Sequence, residues 1–230
     1  MEGGLCRFCG AALDTKGVHA NACTAGGDII MRHNNVRNIL YRYSCRGHLH
    51  PELEKVGVLE EPGVFVSMRR PADVMVDDDV VVGRGDQRTD KLALDVKIIS
   101  ALCPSHYNET LRGPLVAAEA YRERSFDHLQ TRALCAEKGV RYEPLVFTVQ
   151  GGCERHAEAI ISRIAESVAK VEERDRTAVK GEILEAIALC IARAASRAVM
   201  RRHKRGVSAA APRADRVVAE LFADGDDGDL

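Results

Sequence analysis

Two short apolar runs, each interrupted by charge, stand at the centre of the hydrophobic pattern of this chain. Residues 70–76 read Arg-Pro-Ala-Asp-Val-Met-Val, and residues 92–99 read Leu-Ala-Leu-Asp-Val-Lys-Ile-Ile. Runs of this length, bounded by turn residues, predict β-strands. Because strand side chains alternate between faces, Asp95 and Lys97 should share one face while their apolar neighbours take the other.

Other short apolar runs predict further strands, and longer periodic stretches predict helices. Shorter strands are expected at residues 52–59, 64–66 and 142–150, with a small hairpin around 80–85 and a loop after residue 99. The apolar spacing predicts helices over residues 28–45, 114–137, 154–173 and 177–204. Asp28 is the expected N-cap of the first helix, and Pro114 suits the first turn of the second.

The order of these elements predicts an α/β fold, with a small mixed central sheet flanked by helices. We expect four regions along the chain. They are a cysteine-rich module over residues 1–27, a core over 28–173, a C-terminal helix over 174–205 packed on or beside the core, and a disordered acidic tail over 206–230.

The N-terminal module carries a spacing typical of metal sites. Cys6 and Cys9 are followed by His19 and Cys23. Two thiolates on a tight turn, followed by a His and a Cys a few residues apart, can close a tetrahedron on zinc. So short a segment has no core of its own, and metal binding would supply its folding energy. We therefore predict a structural zinc knuckle, rather than four incidental buried residues.

Composition narrows the class of protein. The apolar fraction of 46% supports a real core, and eight cysteines without a secretory signal favour reduced thiols and an intracellular location. No run reaches the roughly 18 apolar residues of a membrane span.

The net charge of −1 is poor support for a nucleic-acid partner. The cysteines outside the knuckle lie in apolar contexts and are expected to be small core residues.

Two basic stretches have more than one interpretation. The polar face of the first predicted helix carries Arg32, His33 and Arg37, which suit either a solvated surface or phosphate contacts. The run from Arg201 to Arg205 ends the last predicted helix. Cations at a helix C-terminus ordinarily complement the helix dipole, and we prefer that interpretation. The same run is a weak candidate for a nuclear signal.

The charges inside the central strands are the strongest candidate chemistry. An Asp and a Lys paired on a surface strand are common and stabilise little. Here Asp95 and Lys97 interrupt a nearly continuous apolar run, and Asp73 lies on a neighbouring predicted strand. Burying such charges is costly unless something neutralises them. A magnesium ion, which takes oxygen ligands and shares substrate phosphates, would do so.

These residues resemble a known nuclease motif. Arg70-Pro71-Ala72-Asp73 followed by Asp95-Val96-Lys97 is similar to the PD-(D/E)xK motif of restriction-endonuclease-like nucleases. The Cys/His knuckle and Arg32-His33-Asn34 resemble those joined to that nuclease in site-specific non-LTR retrotransposons. The resemblance covers about residues 5 to 170. The motif departs from the family in reading Pro-Ala-Asp and in the longer gap between its two aspartates.

The resemblance implies a restriction-endonuclease-like fold and a DNA endonuclease that uses Mg²⁺ or Mn²⁺. Asp73 and Asp95 would bind the metal, and Lys97 would act on the attacking water or the phosphate. Glu54, preferred over Glu52, would add a third acid. Gln150 matches a late-strand residue that contributes to the site in some members. DNA contacts would involve the basic residues near these motifs: Arg32, His33, Arg37 and Arg70.

The resemblance also implies partners. They are DNA, a second copy of the chain for double-strand cutting, and a reverse transcriptase encoded by the same element. In a eukaryotic host the location would be nuclear. The alternative is a catalytically inactive nucleic-acid-binding protein that keeps the nuclease fold. A zinc-containing interaction protein without catalysis is the third possibility, and the charges within the most apolar strand argue against it.

Overall fold

The computed structural model describes residues 4–59, 71–77, 91–113 and 115–202. Its helices are α1 (Val18–Ala22), α2 (Asp28–Arg46), α3 (Tyr107–Arg112), α4 (Val116–Asp127), α5 (Thr131–Glu137), α6 (Arg155–Glu172) and α7 (Arg176–Arg202). Its strands are β1 (Glu52–Leu53), β2 (Val74–Asp77), β3 (Lys91–Ile99) and β4 (Val140–Thr148). Two short 3-10 helices span Pro104–His106 and His128–Gln130.

The four strands form one mixed sheet in the order β1-β2-β3-β4. β2 runs antiparallel to both β1 and β3, whereas β4 runs parallel to β3 over its whole length. The predicted α/β class with a small mixed central sheet is confirmed. Pro144 is accommodated in β4 because β4 is an edge strand of the described sheet, where a missing amide is tolerated.

Helices cover both faces of the sheet. One face of β3 and β4 packs against α2, α6 and α7 through apolar residues that include Leu94, Val96 and Phe147. The opposite face packs against α4 and α5, with Tyr142 and Phe126 in edge-to-face contact. Because both faces of β3 are covered, any charge on this strand is partly withdrawn from water. None of the described helices combines the length and apolar character that a membrane crossing requires.

Several predicted boundaries were wrong. The strand expected at residues 52–59 is only the two-residue β1, because Glu54 takes a left-handed φ of 45° and leaves the extended conformation. The last predicted strand begins and ends two residues earlier than expected. The predicted loop after residue 99 contains a 3-10 helix and α3. Gly27, not Asp28, is the N-cap of α2.

The helix predicted over residues 114–137 is two helices separated by a kink. Leu129 and Gln130 take left-handed φ values of 53° and 55° between α4 and α5. The kink lets Phe126 of α4 and Cys135 of α5 both pack on the sheet beside Tyr142. The helices predicted over 28–45, 154–173 and 177–204 are confirmed by α2, α6 and α7.

Other expectations fall on parts of the chain outside the described residues. These are the strand at 64–66, the hairpin around 80–85, Pro114, and the chain beyond Arg202, including the acidic tail. Of the cysteines expected in the core, Cys135 is buried, while Cys103, Cys153 and Cys190 are half-buried. Cys45 is exposed, so the expectation was wrong there, because its position on α2 faces away from the sheet.

Candidate functional sites: a Cys/His group and a sheet cluster

Cys6, Cys9, His19 and Cys23, the Cys/His group, converge as the spacing predicts. Their ligand atoms all lie within 4.8 Å of one another. Cys9 Sγ lies 3.3 Å from His19 Nε2 and 3.7 Å from Cys23 Sγ. Ligands of a tetrahedral zinc ion stand about 3.3–3.8 Å apart, given zinc–ligand bonds of about 2.0–2.3 Å. The group can therefore hold a metal ion such as zinc.

Local backbone contacts build this arrangement. The turn between Cys6 and Cys9 closes when the Gly10 amide donates to the Cys6 carbonyl at 2.8 Å, and Gly10 takes a positive φ there. Asp14 accepts hydrogen bonds from the backbone amides of Val18 and His19, which begin α1 and fix the position of the imidazole. All of these contacts join residues that are close together in the sequence, which is why the spacing alone could predict the site.

Electrostatics in the group favour a thiolate. Burial works against ionisation of Cys6, but hydrogen bonds from the backbone amides of Phe8 and Cys9 outweigh it and lower the pKa of the thiol to about 6. A thiolate is the form that binds zinc. The local structure thus favours the thiolate form of Cys6, which is the form that binds a metal.

The Cys/His group is anchored to the helical layer by a buried arginine. Arg202 of α7 is fully buried, and its guanidinium donates to Asp28 Oδ2 at 2.5 Å. It also donates to the carbonyls of Cys23 and Ala25 at 3.2 and 2.9 Å. The knuckle is therefore connected to both α2 and α7 through one charged side chain.

A second set of polar residues, the sheet cluster, lies where β2 and β3 meet: Asp73, Asp95, Lys97, His33 and Tyr142. The antiparallel register pairs Val74 with Leu94. Its continuation by one residue places Asp73 opposite Asp95, and the Asp73 amide donates to the Leu94 carbonyl at 2.9 Å. The register thus brings together the two aspartates that lie far apart in sequence.

Each aspartate of the sheet cluster is held by two donors. Asp73 Oδ2 accepts from the Val96 amide at 2.7 Å and lies 3.0 Å from His33 Nε2. Asp95 Oδ2 accepts from the Tyr142 hydroxyl at 2.5 Å and from Lys97 Nζ at 2.8 Å. Among the described residues, the second oxygen of each carboxylate has no hydrogen-bond donor. Those two oxygens remain available to a further ligand.

The two carboxyl groups have opposite pKa shifts. Burial raises the pKa of Asp95 despite the nearby Lys97 ammonium and the Tyr142 hydroxyl. Burial would also raise the pKa of Asp73, but the bonds from His33 and Val96 outweigh it and lower that pKa. Such contrasting environments for neighbouring acids are typical of functional sites.

The groups that contact the two aspartates have shifted pKa values as well. The hydrogen bond to Asp73 raises the pKa of His33, against an opposing effect of burial. Burial would lower the pKa of Lys97, but its attraction to Asp95 prevails and raises it. Burial and the Asp95 charge raise the pKa of Tyr142. Lys97 is therefore a charged, hydrogen-bonded cation at neutral pH, and Tyr142 stays a donor.

The predicted third acid lies beside the sheet cluster but has another partner. The Glu54 amide donates to the Asp73 carbonyl at 3.0 Å, while its carboxylate accepts from Arg37. Glu52 pairs instead with Lys55 and Lys91. Within the described ranges, the Cys/His group is the one set of three or more His, Cys, Asp or Glu side chains placed to share a metal ion.

Gln150 does not join the cluster. It lies exposed in the turn after β4, because the strand ends at Thr148, whose amide bonds to the Gly152 carbonyl at 2.8 Å. The parallel register pairs Asp95 with Pro144, so Gln150 lies six residues beyond the level of the aspartate. Thr148 is already four residues, about 13 Å, beyond that level along β4, and Gln150 follows it in the turn. The structure therefore does not bring Gln150 to the sheet cluster, and its contribution to catalysis stays a prediction from the resemblance.

The predicted DNA-contacting residues separate into different environments. Arg32 is buried and donates to the side chain and carbonyl of Asn21, so its expected exposure was wrong. His33 faces Asp73, and Arg37 faces Glu54. Arg70 lies outside the described residues. None of the three described residues is thus an unoccupied cation on an open surface.

Sequence reasoning missed Tyr142 altogether. Its place in the cluster depends on the parallel pairing of β3 and β4, whose partners are separated by about fifty residues of chain. The alternating pattern of Val140, Arg141 and Tyr142 indicates that the tyrosine faces the sheet interior, but it does not indicate which strand lies beside it. Comparison with protein-family models, curated proteins and solved structures gave no match.

Proposed function

We propose that this chain is a metal-dependent DNA endonuclease of the retroelement type. The observation that carries the proposal is the sheet cluster, in which Asp95 and Lys97 share one face of a buried strand and Asp73 lies opposite Asp95. A phosphodiester nuclease needs acids to hold a cation and a positive group beside the reacting phosphate. The restriction-endonuclease-like fold suggested by the motif belongs to this same proposal.

The sheet cluster fits a hard divalent cation. Magnesium is commonly bound by one or two carboxylates and keeps its remaining positions for water and substrate phosphate. Asp73 and Asp95 would hold it through the oxygens that lack a donor among the described residues. When bound, Mg²⁺ or Mn²⁺ would polarise the phosphodiester and neutralise the charge on the desolvated Asp95.

Each remaining residue of the cluster has a role in this proposal. Lys97, a cation held by Asp95, would orient the attacking water or stabilise the charge that develops on the phosphate. His33 and Tyr142 would hold Asp73 and Asp95 in place through the oxygens that the cation does not use. Zinc in the Cys/His group would have a structural role.

The test is nicking of supercoiled plasmid by zinc-loaded protein with magnesium or manganese. We expect the wild type to nick, and Asp95→Ala and Lys97→Ala to lose about 10²–10³-fold in rate. Lys91→Ala is the matched control, because Lys91 lies on the same strand but pairs with Asp77 at 2.7 Å. The proposal is overturned if folded wild type nicks neither plasmid nor branched DNA, or if Lys97→Ala nicks as fast as Lys91→Ala.

One observation favours the second candidate, a nuclease fold that binds nucleic acid without cutting it. The Glu54 carboxylate bonds to Arg37, so no third acid joins the two aspartates among the described residues. This candidate predicts salt-sensitive DNA binding that Asp95→Ala leaves unchanged, with no nicking by any variant. A homodimer and an associated reverse transcriptase remain proposals from the resemblance.

A further inference from the structure

Two consecutive residues of α2 join the Cys/His group to the sheet cluster. Arg32 donates hydrogen bonds to the knuckle, and His33 contacts Asp73 of the sheet cluster. Successive residues of a helix project about 100° apart, so one turn of α2 can face both sites. The two candidate metal sites are therefore linked through one turn of this helix.

The link begins at Asn21, which lies between two of the four potential ligands. His19 precedes it by two residues, and Cys23 follows it by two. The Asn21 side chain donates to the Gly17 carbonyl at 3.0 Å, which fixes its orientation on α1. Because potential ligands stand on both sides of Asn21, the position of this residue depends on the folded shape of the Cys/His group.

Asn21 supplies both acceptors that Arg32 has among the described residues. The Arg32 guanidinium donates to Asn21 Oδ1 at 3.2 Å and to the Asn21 carbonyl at 3.0 Å. Arg32 is only 3% exposed, and its Nε has no hydrogen-bond partner in the described part of the chain. A buried cation without acceptors is costly, so Arg32 has to follow Asn21. The knuckle thereby holds this turn of α2.

His33 connects the same turn to the sheet cluster. Its Nε2 lies 3.0 Å from Asp73 Oδ2, and its Nδ1 lies 3.3 Å from Asn34 Oδ1. Asp73 Oδ2 also accepts from the Val96 amide at 2.7 Å. These two partners hold one oxygen of Asp73 and so set the direction of the other. A shift of this turn of α2 would therefore turn the Asp73 carboxylate.

We propose that Asn21 and Arg32 are positioning residues for the sheet cluster, and that they act through His33 on Asp73. Residues that hold a metal ligand in place commonly change metal affinity by about 10–100-fold. Metal in the Cys/His group then strengthens cation binding in the sheet, and by linkage the reverse also holds. The inference deepens the proposed function and rests on it for the cation that Asp73 and Asp95 bind.

The test measures Mn²⁺ affinity by electron paramagnetic resonance in wild type and Asn21→Ala, each loaded with one zinc per chain. The variant removes the Oδ1 acceptor of Arg32 but none of the four potential ligands. We expect a loss of about fivefold, at the lower end for coupled sites, because the Asn21 carbonyl remains as an acceptor. Asn21→Asp keeps an acceptor oxygen and should bind Mn²⁺ like wild type.

The Val96 amide gives a second readout that requires no cation in the sheet. This amide donates to Asp73 Oδ2, so its proton chemical shift changes when the Asp73 carboxylate turns. In zinc-loaded protein without Mn²⁺, Asn21→Ala should move the Val96 signal, and Asn21→Asp should leave it in place. His33→Ala removes the contact with Asp73 itself and should move the signal at least as far.

Arg201→Gln is the matched control. Arg201 also joins the knuckle to a helix, because its guanidinium donates to the Gly26 carbonyl at 3.3 Å and to Asp28 Oδ1 at 2.6 Å. These bonds connect the knuckle to α7 and to the first residue of α2, not to Asn21. We expect Arg201→Gln to keep the wild-type Mn²⁺ affinity and the wild-type Val96 signal.

Each outcome decides the inference. It is overturned if Asn21→Ala matches wild type in both readouts, or if Arg201→Gln changes them as much. In a His33→Ala background Asn21→Ala should have no further effect on the Val96 signal, and a full additional shift would overturn the action through His33. A wild type that binds no Mn²⁺ would end the proposed cation site, while the Val96 signal would still decide whether Asn21 positions Asp73.

Discussion

The Cys/His group and the sheet cluster are both convergent sets of polar side chains, but they draw on very different lengths of chain. The Cys/His group is complete within residues 6–23, and the hydrogen bonds that shape its turns are local. The sheet cluster joins residues from α2, β3 and β4 with Asp73, which directly precedes β2, and spans positions 33–142. The Cys/His group depends on the spacing of its four residues along the chain. The sheet cluster depends on the register in which the strands pair.

The difference has a physical consequence for how each site is stabilised. The Cys/His group has little apolar packing of its own beyond a small cluster around Leu13 and Phe8, so we expect a bound metal to supply much of its stability. The sheet cluster lies between two covered faces, and its charges are balanced by one another. The first site should therefore depend on metal for its structure, and the second should not.

Removal of the knuckle metal should have the largest effect. Zinc contributes roughly 10–16 kcal/mol to folding of small zinc-finger peptides, so chelation should lower the unfolding free energy of this protein by several kcal/mol. The Arg202 bonds to the Cys23 and Ala25 carbonyls should loosen with the knuckle. Thermal unfolding with and without chelator, together with amide exchange, measures both effects.

The control for chelation separates ligands from ordinary cysteines. Cys9→Ser should reproduce the chelated state, and Cys45→Ser, at an exposed cysteine outside the group, should behave like wild type. Amides of β3 and β4 should stay protected throughout. Equal melting of metal-loaded and chelated protein would show that the knuckle folds without metal.

Tyr142→Phe should have an intermediate effect. It keeps the ring against Phe126 but removes the hydroxyl that donates to Asp95. Hydrogen bonds to charged groups stabilise by about 1.5–3 kcal/mol, and a loss of that size is expected in urea unfolding at neutral pH. The stability of the protein would then depend on a hydroxyl group that lies more than forty positions from Asp95 in the sequence.

Tyr43→Phe is the matched control for that substitution. The Tyr43 hydroxyl also donates to a carboxylate, Glu182, at 2.8 Å. Glu182 keeps Arg46 and Arg174 as partners and is more exposed, so this loss should be the smaller of the two. A Tyr142→Phe variant no less stable than Tyr43→Phe would mean that Tyr142 does not support Asp95.

The smallest predicted effect is a pH dependence carried by His33. The bond to Asp73 raises the pKa of His33 in the folded protein, so the stability it adds is complete below the unfolded value of about 6.5. That stability is lost as pH rises through the folded pKa. Asp73, with a lowered pKa, stays ionised across this range.

The measurement compares wild type and His33→Gln in urea at about pH 5.5 and about pH 8, without added magnesium. The stability advantage of wild type should be larger at the lower pH, by about 1 kcal/mol or less for a partly exposed pair. An advantage that grows with pH would contradict the pairing of His33 with Asp73.

The sequence predicted the parts of the fold whose pattern is local. The periodicity of α2, α6 and α7 and the spacing of the Cys/His group required no knowledge of distant residues. The shared face of Asp95 and Lys97 followed from strand alternation alone, and their contact at 2.8 Å agrees with it. These features depend on neighbours within one element.

The features that the sequence missed depend on tertiary contacts. The kink at Leu129 and Gln130 contains no glycine or proline, and the packing of two helices on one sheet explains it. Arg32 is buried because Asn21, from the knuckle, accepts its hydrogen bonds. Gln150 lies away from the sheet cluster because the turn after β4 begins at Thr148.

We propose that the chain has two distinct metal sites, a thiolate site in the knuckle and a carboxylate site in the sheet. Titration of zinc-loaded protein with Mn²⁺, followed by electron paramagnetic resonance, tests it directly. We predict one Mn²⁺ per chain in wild type and in Lys91→Ala, and loss of that binding in Asp95→Asn while zinc is retained. Mn²⁺ binding that is absent in wild type, or unchanged in Asp95→Asn, would contradict the claim.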